Sequence, residues 1–130
     1  MSIDSLDEKI LQSLKANARI SYKDLAKELG VSSVTILNRI KRLEDNNLIL
    51  GYTTIVDTSS LGLTEAIIHL KTGRDFSHPS ITKKIETTGE FNLMLFVQFK
   101  DNKSLNDYAK NLRNDPDVSD VRVDMILNND

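Results

Sequence analysis

The chain contains no cysteine, which excludes disulfides, thiolate metal sites and cysteine nucleophiles together. Histidine is nearly as scarce. His69 and His78 are the two present, too few and too far apart for a recognisable metal site, so neither a metal nor a cofactor is expected. No run comes near the roughly eighteen consecutive apolar residues that a transmembrane helix needs, so no membrane partner is expected. Met1-Ser2-Ile3-Asp4 lacks the basic and apolar regions of a signal peptide, and a cytoplasmic location is the resulting expectation. Excess positive charge is missing too. The 130 residues carry 17 Lys and Arg against 19 Asp and Glu, a net charge of −2, whereas a nucleic-acid footprint is usually basic. Any cationic surface must therefore come from local placement.

One stretch has such placement. Gly30-Val31-Ser32-Ser33-Val34-Thr35-Ile36-Leu37-Asn38-Arg39-Ile40-Lys41-Arg42-Leu43-Glu44 reads as a tight turn followed by a helix. Ser32 suits the N-cap, because its hydroxyl can accept a free amide of the first turn. Ile36, Ile40 and Leu43 fall at i, i+4 and i+7, a core-facing stripe. Ser33, Leu37, Asn38 and Lys41 point elsewhere, with Arg39 and Arg42 on the flanks. Upstream, Tyr22–Leu29 is a second amphipathic helix capped by Ser21, and Gly30 supplies the sharp turn between the two, where a positive φ is needed. Helix, glycine turn, helix is the helix-turn-helix arrangement, whose second helix enters the DNA major groove.

Two amphipathic helices joined by glycine also occur in proteins that touch no nucleic acid. The order of polar types favours DNA. Hydroxyls at the helix start suit phosphate, because free amides and the helix dipole gather there. Ser32, Ser33 and Arg42 are therefore the phosphate candidates, with Arg39 as a further one. Thr35, Asn38 and Lys41 are the groove candidates. Leu37 has two readings: contact with thymine methyls, or weak specificity. Residues 1–47 hold eight basic against seven acidic residues, a net of +1, and residues 48–130 hold nine against twelve, a net of −3. The asymmetry has the right sign but is small. A monomer is expected to bind weakly, and a dimer gains by presenting two helices.

The chain divides near residue 50. A first helix is expected over Ser5–Ala16, capped by Asp4, with Leu6, Ile10, Leu11 and Leu14 inward and Ile20 stapling the three-helix core. Leu48–Asp57 reads as extended and Thr58–Gly62 as a linker turn. Beyond it, Thr64–Thr72 reads as a strand, and Leu93–Phe99 as a second strand, apolar enough to be buried on both faces. Asn102–Leu112 reads as a helix with Leu105, Tyr108, Ala109 and Leu112 inward. Asn114-Asp115-Pro116-Asp117 is a turn, and Val118–Leu127 alternates as a final strand.

Several ordered pieces together resemble the Lrp/AsnC (feast/famine) family of transcription regulators over nearly the whole chain. They are Leu6-Asp7-Glu8-Lys9-Ile10-Leu11, Ala18-Arg19-Ile20-Ser21, Asp24-Leu25-Ala26, Gly30-Val31-Ser32 and Arg39-Ile40-Lys41-Arg42-Leu43-Glu44. Ile49-Leu50-Gly51-Tyr52, Leu61-Gly62, Thr88-Gly89-Glu90-Phe91-Asn92 and Pro116-Asp117-Val118 continue the set. The resemblance implies an α+β protein. Residues 1–50 would form a three-helix, winged-helix-like helix-turn-helix domain and 51–62 a linker strand and turn. Residues 63–130 would form a ferredoxin-like α/β sandwich for effector binding and dimerisation. It further implies a homodimer or higher oligomer on pseudo-palindromic double-stranded DNA. An amino acid or other small polar effector would sit beside Gly89, Glu90 and Asn92. Asn92 departs from the family, which commonly has an acid there, and Leu37 stands where a long polar side chain is commoner.

A larger departure lies between Thr72 and Leu93. Only about twenty residues remain there, too few for the family's first helix and second strand together at ordinary lengths. The domain is thus truncated in one or the other. Residues 77–87 suit a short helix, with Ser77 as cap, Pro79 in the first turn and Gly89 beyond the end. Alternatively, Ile81–Thr87 is the retained strand and the helix is lost. The capping pattern favours the helix, and either choice should leave apolar sheet surface uncovered unless a partner subunit covers it. Two other function classes remain. Sirohaem decarboxylase subunits of Lrp-like architecture would need histidine or basic groups at a pocket, where only His69 and His78 are available. An accessory protein could use its helix-turn-helix for protein contacts alone. No catalytic residue is assigned.

Overall fold

In the computed structural model, residues 1–128 are described, and the chain divides into two compact units, Met1–Ile55 and the remainder from Val56. The first unit is three helices, α1 (Ser5–Ala16), α2 (Tyr22–Leu29) and α3 (Ser33–Asp45). All three start where a side-chain oxygen can accept a free amide. Asp4 accepts from the Asp7 amide in a reciprocal capping box, Ser21 from Asp24 and Ser32 from Thr35. Gly30 ends α2 at φ +70°, the left-handed geometry that the turn requires. Ile10, Leu14, Leu25, Ala26, Ile36, Ile40 and Leu43 fill the core, and Ile20 packs against it. After α3, Asn47 turns the chain at φ +58°, and the Leu48 and Ile49 amides both return to the Leu43 carbonyl.

The chain then leaves regular structure. Residues 50–57 join no ladder, so the expected linker strand has no strand partner, and a 3₁₀ turn follows at Thr58–Leu61. No wing hairpin accompanies the three helices among the described residues.

The second unit is a four-stranded antiparallel sheet with one helix. Its elements are β1 (Thr64–Thr72), β2 (Ile81–Glu86), β3 (Leu93–Phe99), α4 (Asn102–Arg113) and β4 (Val118–Met125). The spatial order is β2-β3-β1-β4. Ile68 lies opposite Leu95 on one side and Val123 on the other, and this register turns Ala66, Ile68 and Leu70 of β1 and Leu93, Leu95 and Val97 of β3 to one face. Leu105, Ala109 and Leu112 of α4 close over that face.

The segment 77–87 holds a strand, Ile81–Glu86, after a loop and turn, and the preferred helix is not there. Strand β2 pairs antiparallel with β3 from Ile81 to Glu86. A helix would have left the edge of the most apolar strand unpaired, and closing that edge outweighs a cap and an N-terminal proline. β-branched Ile81, Thr82 and Ile85 also suit the pleat. The family's first helix is therefore the missing layer, and Phe76 replaces it. Its ring enters the sheet core at 7% exposure, the Arg74 guanidinium lies 4.0 Å from the ring centre, and Lys84 donates to the Phe76 carbonyl at 3.1 Å. His78 stacks on Tyr108 at 4.3 Å beside Phe99, continuing the cover. The helix-side sheet surface is thus not left bare.

Two further expectations need correction. Strand β3 is buried on one face only: Leu93, Leu95 and Val97 are buried, whereas Met94 and Phe96 on the other face are half-buried, because among the described residues no helix or strand of this unit crosses that side. The final strand ends at Met125, and Leu127 beyond it is 96% exposed.

Candidate nucleic-acid interface

Helix α3 owes its orientation to its buried stripe. Ile36, Ile40 and Leu43 are at most 1% exposed, which fixes which residues face solvent. On the outward side Val34, Asn38, Leu37 and Lys41 form two stacked i, i+4 pairs, with Ser33 one turn earlier. At the helix start the Ser32 hydroxyl accepts from the Thr35 amide at 3.1 Å and lies 2.9 Å from the Thr35 hydroxyl. Both remain close to the uncommitted amides of the first turn. Of the expected contact set, Ser32, Ser33, Thr35, Asn38 and Lys41 therefore cluster on the start and outer side of one helix. Val34, exposed at 65%, belongs with them and was missed, because a β-branched apolar residue gives no polar signal in the sequence.

Arg39 and Arg42 lie on a different flank. Arg39 pairs with Asp4 at 2.5 Å and Asp7 at 3.2 Å; Arg42 reaches Asp7 at 2.7 Å and the Ser2 carbonyl at 3.1 Å. Asp7 is entirely buried and accepts from both guanidiniums and from the Asp4 amide. The Arg39 hydrogen bond, helped by the Asp7 amide, holds the Asp4 carboxyl well below its usual range, at about 2. These two arginines tie α3 to the start of α1. The capping spacing Asp4–Asp7 and the i, i+3 spacing Arg39–Arg42 were the available signals, and neither says that the two pairs meet.

In the second unit the turn between β2 and β3 is closed by the Thr87 amide on the Asn92 carbonyl at 2.9 Å. The Asn92 amide group is committed to β1, accepting from the Thr72 amide at 2.9 Å and donating to the Thr72 carbonyl at 2.7 Å. An open cleft of about 260 Å³ beside it is lined by Thr72, Arg74, Asp75, Glu86 and Asn92 among others. Gly89 and Glu90 lie outside this cleft, exposed in the turn, and a side chain at 89 would meet nothing closer than 3.7 Å. Of the three expected effector residues, Asn92 lines this cleft. His69 pairs with Asp124 at 3.0 Å on the sheet face opposite α4, and the Arg122 hydrogen bond chiefly lowers the Asp124 carboxyl.

Comparison with known proteins follows this division. Residues 3–44 match the AsnC-type helix-turn-helix domain, and residues 76–129 match the Lrp/AsnC ligand binding domain. The chain is 31% identical to an uncharacterized HTH-type transcriptional regulator of Pyrococcus horikoshii, over 98% of this chain and 93% of that one. The chain belongs to the Lrp/AsnC family. Among solved structures of the family, Escherichia coli AsnC is 26% identical with a TM-score of 0.80, covering 99% of this chain and 95% of its own. A Neisseria meningitidis transcriptional regulator in complex with L-Met is 24% identical, with a TM-score of 0.83 over 98% of this chain and 91% of its own, a likeness of fold. The resemblance seen in the sequence thus stands, as does an α+β fold of helix-turn-helix and α/β units. No helix among the described residues is long and apolar enough to cross a membrane.

Proposed function

We propose that this Lrp/AsnC chain is a DNA-binding transcription regulator that works as a homodimer or larger assembly on pseudo-palindromic duplex sites. The observation that carries the reading is the hydroxyl-capped α3, fixed by its buried stripe, with Asn38 and Lys41 on its outward side. Ser32, Ser33 and Thr35 would meet phosphate or the groove edge, and Asn38 and Lys41 base edges. Arg42, 43% exposed, keeps donors free for a phosphate beside its bond to Asp7. Arg39, at 30% with two carboxylates, contributes mainly by holding the helix.

Two features support assembly. The sheet face opposite α4 carries half-buried Ile67, Met94 and Phe96, with no helix of the unit over them among the described residues. Leu50, Ile55 and Val56, exposed at 89%, 96% and 50%, are apolar chain without strand partners. A second copy covers such surface and spaces two recognition helices. Any effector would be a small polar metabolite reaching the Thr87–Asn92 turn, where Gly89 and Glu90 are accessible, with residues supplied by the other subunit. The regulator reading is preferred to the enzyme one; His69 is bonded to Asp124, and His78 is bonded to Ser80 and stacked on Tyr108. Cytoplasmic location follows from the regulator reading. A mobility shift on fragments of the protein's own genome tests the proposal. Enrichment of particular fragments is expected, and uniform failure to shift would favour the accessory-protein reading.

A further inference from the structure

The outward side of α3 carries more carbon and less charge than a phosphate-binding surface needs. Val34 and Leu37 are exposed at 65% and 46%, while the core beneath them is complete without either. They are i, i+3 neighbours, so their Cβ atoms lie roughly 5–6 Å apart on the helix surface. Asn38 follows Val34 and Lys41 follows Leu37 at i+4, which interleaves the two apolar side chains with two groups suited to base edges. The neighbouring charge lies on another flank: Arg39 bonds Asp4 and Asp7, and Arg42, though 43% exposed, bonds Asp7 there, leaving Lys41 as the cation on the same side as Val34 and Leu37. An exposed apolar pair beside an amide and an ammonium fits a wet, polar surface that presents isolated methyl groups. In the major groove, that group is the C5-methyl of thymine.

We propose that Val34 and Leu37 are a methyl-reading pair that packs on thymine C5-methyl groups in the major groove. Asn38 sits beside them, able to take the N6/N7 edge of a neighbouring adenine. The inference rests on α3 being the groove helix, and it assigns specificity to two residues with no hydrogen-bonding side chain. Burying one methyl contributes about 0.8 kcal/mol, which is about a fourfold change in affinity per thymine contacted.

The test starts by enriching duplexes on the full-length protein from a randomised pool. Thymidine in the enriched duplex is then replaced by deoxyuridine one position at a time, which keeps the pairing and the O4 acceptor and removes only the methyl. Wild-type protein should lose about three- to fivefold at one or two positions of each half-site. In Leu37→Ala or Val34→Ala the penalty at one of those positions should shrink below about 1.5-fold, the signature of a removed partner. Both side chains lie outside the core, so unchanged helical circular dichroism and melting should accompany the result. Deoxyuridine tolerated at every position by the wild type would overturn the proposal without any variant. So would penalties that persist unchanged in both variants. A pool from which nothing is enriched overturns the DNA-binding reading itself, and the methyl pair falls with it.

Discussion

Asp7 is the position where one atom-scale change has the largest expected effect on the N-terminal unit. Its carboxylate is wholly buried and accepts from Arg42 at 2.7 Å, Arg39 at 3.2 Å and the Asp4 amide at 3.2 Å. Replacing it by Asn keeps the shape but removes the charge and offers amide hydrogens to groups that are themselves donors. A hydrogen bond to a charged group contributes about 1.5–3 kcal/mol, and breaking a buried pair from one side costs about 3–5 kcal/mol when the remaining charge is stranded. Stranding is limited here, because the Arg39 and Arg42 side chains are 30% and 43% exposed and can be rehydrated. Asp7→Asn should therefore cost about 2 kcal/mol, inside the first range and below the second. At roughly 4–8 °C per kcal/mol for a small domain, the melting temperature should fall by about 8–16 °C. Urea unfolding followed by helical circular dichroism reads the first figure and a thermal scan the second. Asp4→Asn supplies the contrast, since that carboxylate is half-exposed and should matter less. A loss below about 0.5 kcal/mol for Asp7→Asn, the range of ordinary surface changes, would refute the idea that the two arginines need this carboxylate.

Acid should weaken the same cluster. The Asp4 carboxyl is lowered in the folded state from 3.8 to about 2, so its contribution is complete above pH 3.8 and is lost as pH falls through about 2; a denaturation series across that window should show it, and Asp4→Asn should flatten it. Phe76→Ala should destabilise the sheet unit by about 3 kcal/mol, because the ring occupies the place of a missing helix, and equilibrium unfolding measures it. Lys41→Ala with Arg42→Ala should weaken duplex binding and lower its salt slope by roughly one per lost phosphate contact; an unchanged slope would mean that α3 is not the reader. Sedimentation should give a dimer or larger species at micromolar protein, and a monomer would remove the assembly reading. Thermal-shift screening with amino acids should find stabilisation that Gly89→Val reduces; a hit unaffected by that change places the effector site elsewhere.

How much of this was legible depended on whether the governing contacts were local. Every helix start in the first unit was readable from one oxygen-bearing residue, because a cap and its amide lie three positions apart: Asp4, Ser21 and Ser32 all accept as their spacing suggests. The stripe Ile36–Ile40–Leu43 was readable for the same reason, and it oriented the candidate surface. The segment 77–87 failed because its local signals conflicted with a distant demand. Ser77, Pro79 and Gly89 argue for a helix within their own dozen residues, but the choice was made by β3, which needed a partner along its free edge. The burial of β3 misled in the opposite way. A run of apolar residues shows that a strand can be covered on both faces, not that its own unit supplies both covers.

The candidate site shows the same limit at the level of single side chains. A sequence places Arg39 and Arg42 on the flank of a recognition helix, and their charge invites a phosphate. What it withholds is that α1 begins beside them, so Asp4 and Asp7, more than thirty residues away, take up part of that charge. Counting the basic residues of α3 therefore overstates its cationic face, and the exposed face is defined as much by Val34 and Leu37 as by Lys41. Asn92 reverses the argument. The family resemblance put it among the effector residues, yet both ends of its amide hold Thr72 across the sheet. A polar side chain becomes available to a partner only after the fold has met its own demands, and those demands are set by residues far away in the chain. The Asn92 amide group, at least, is already spent within the sheet.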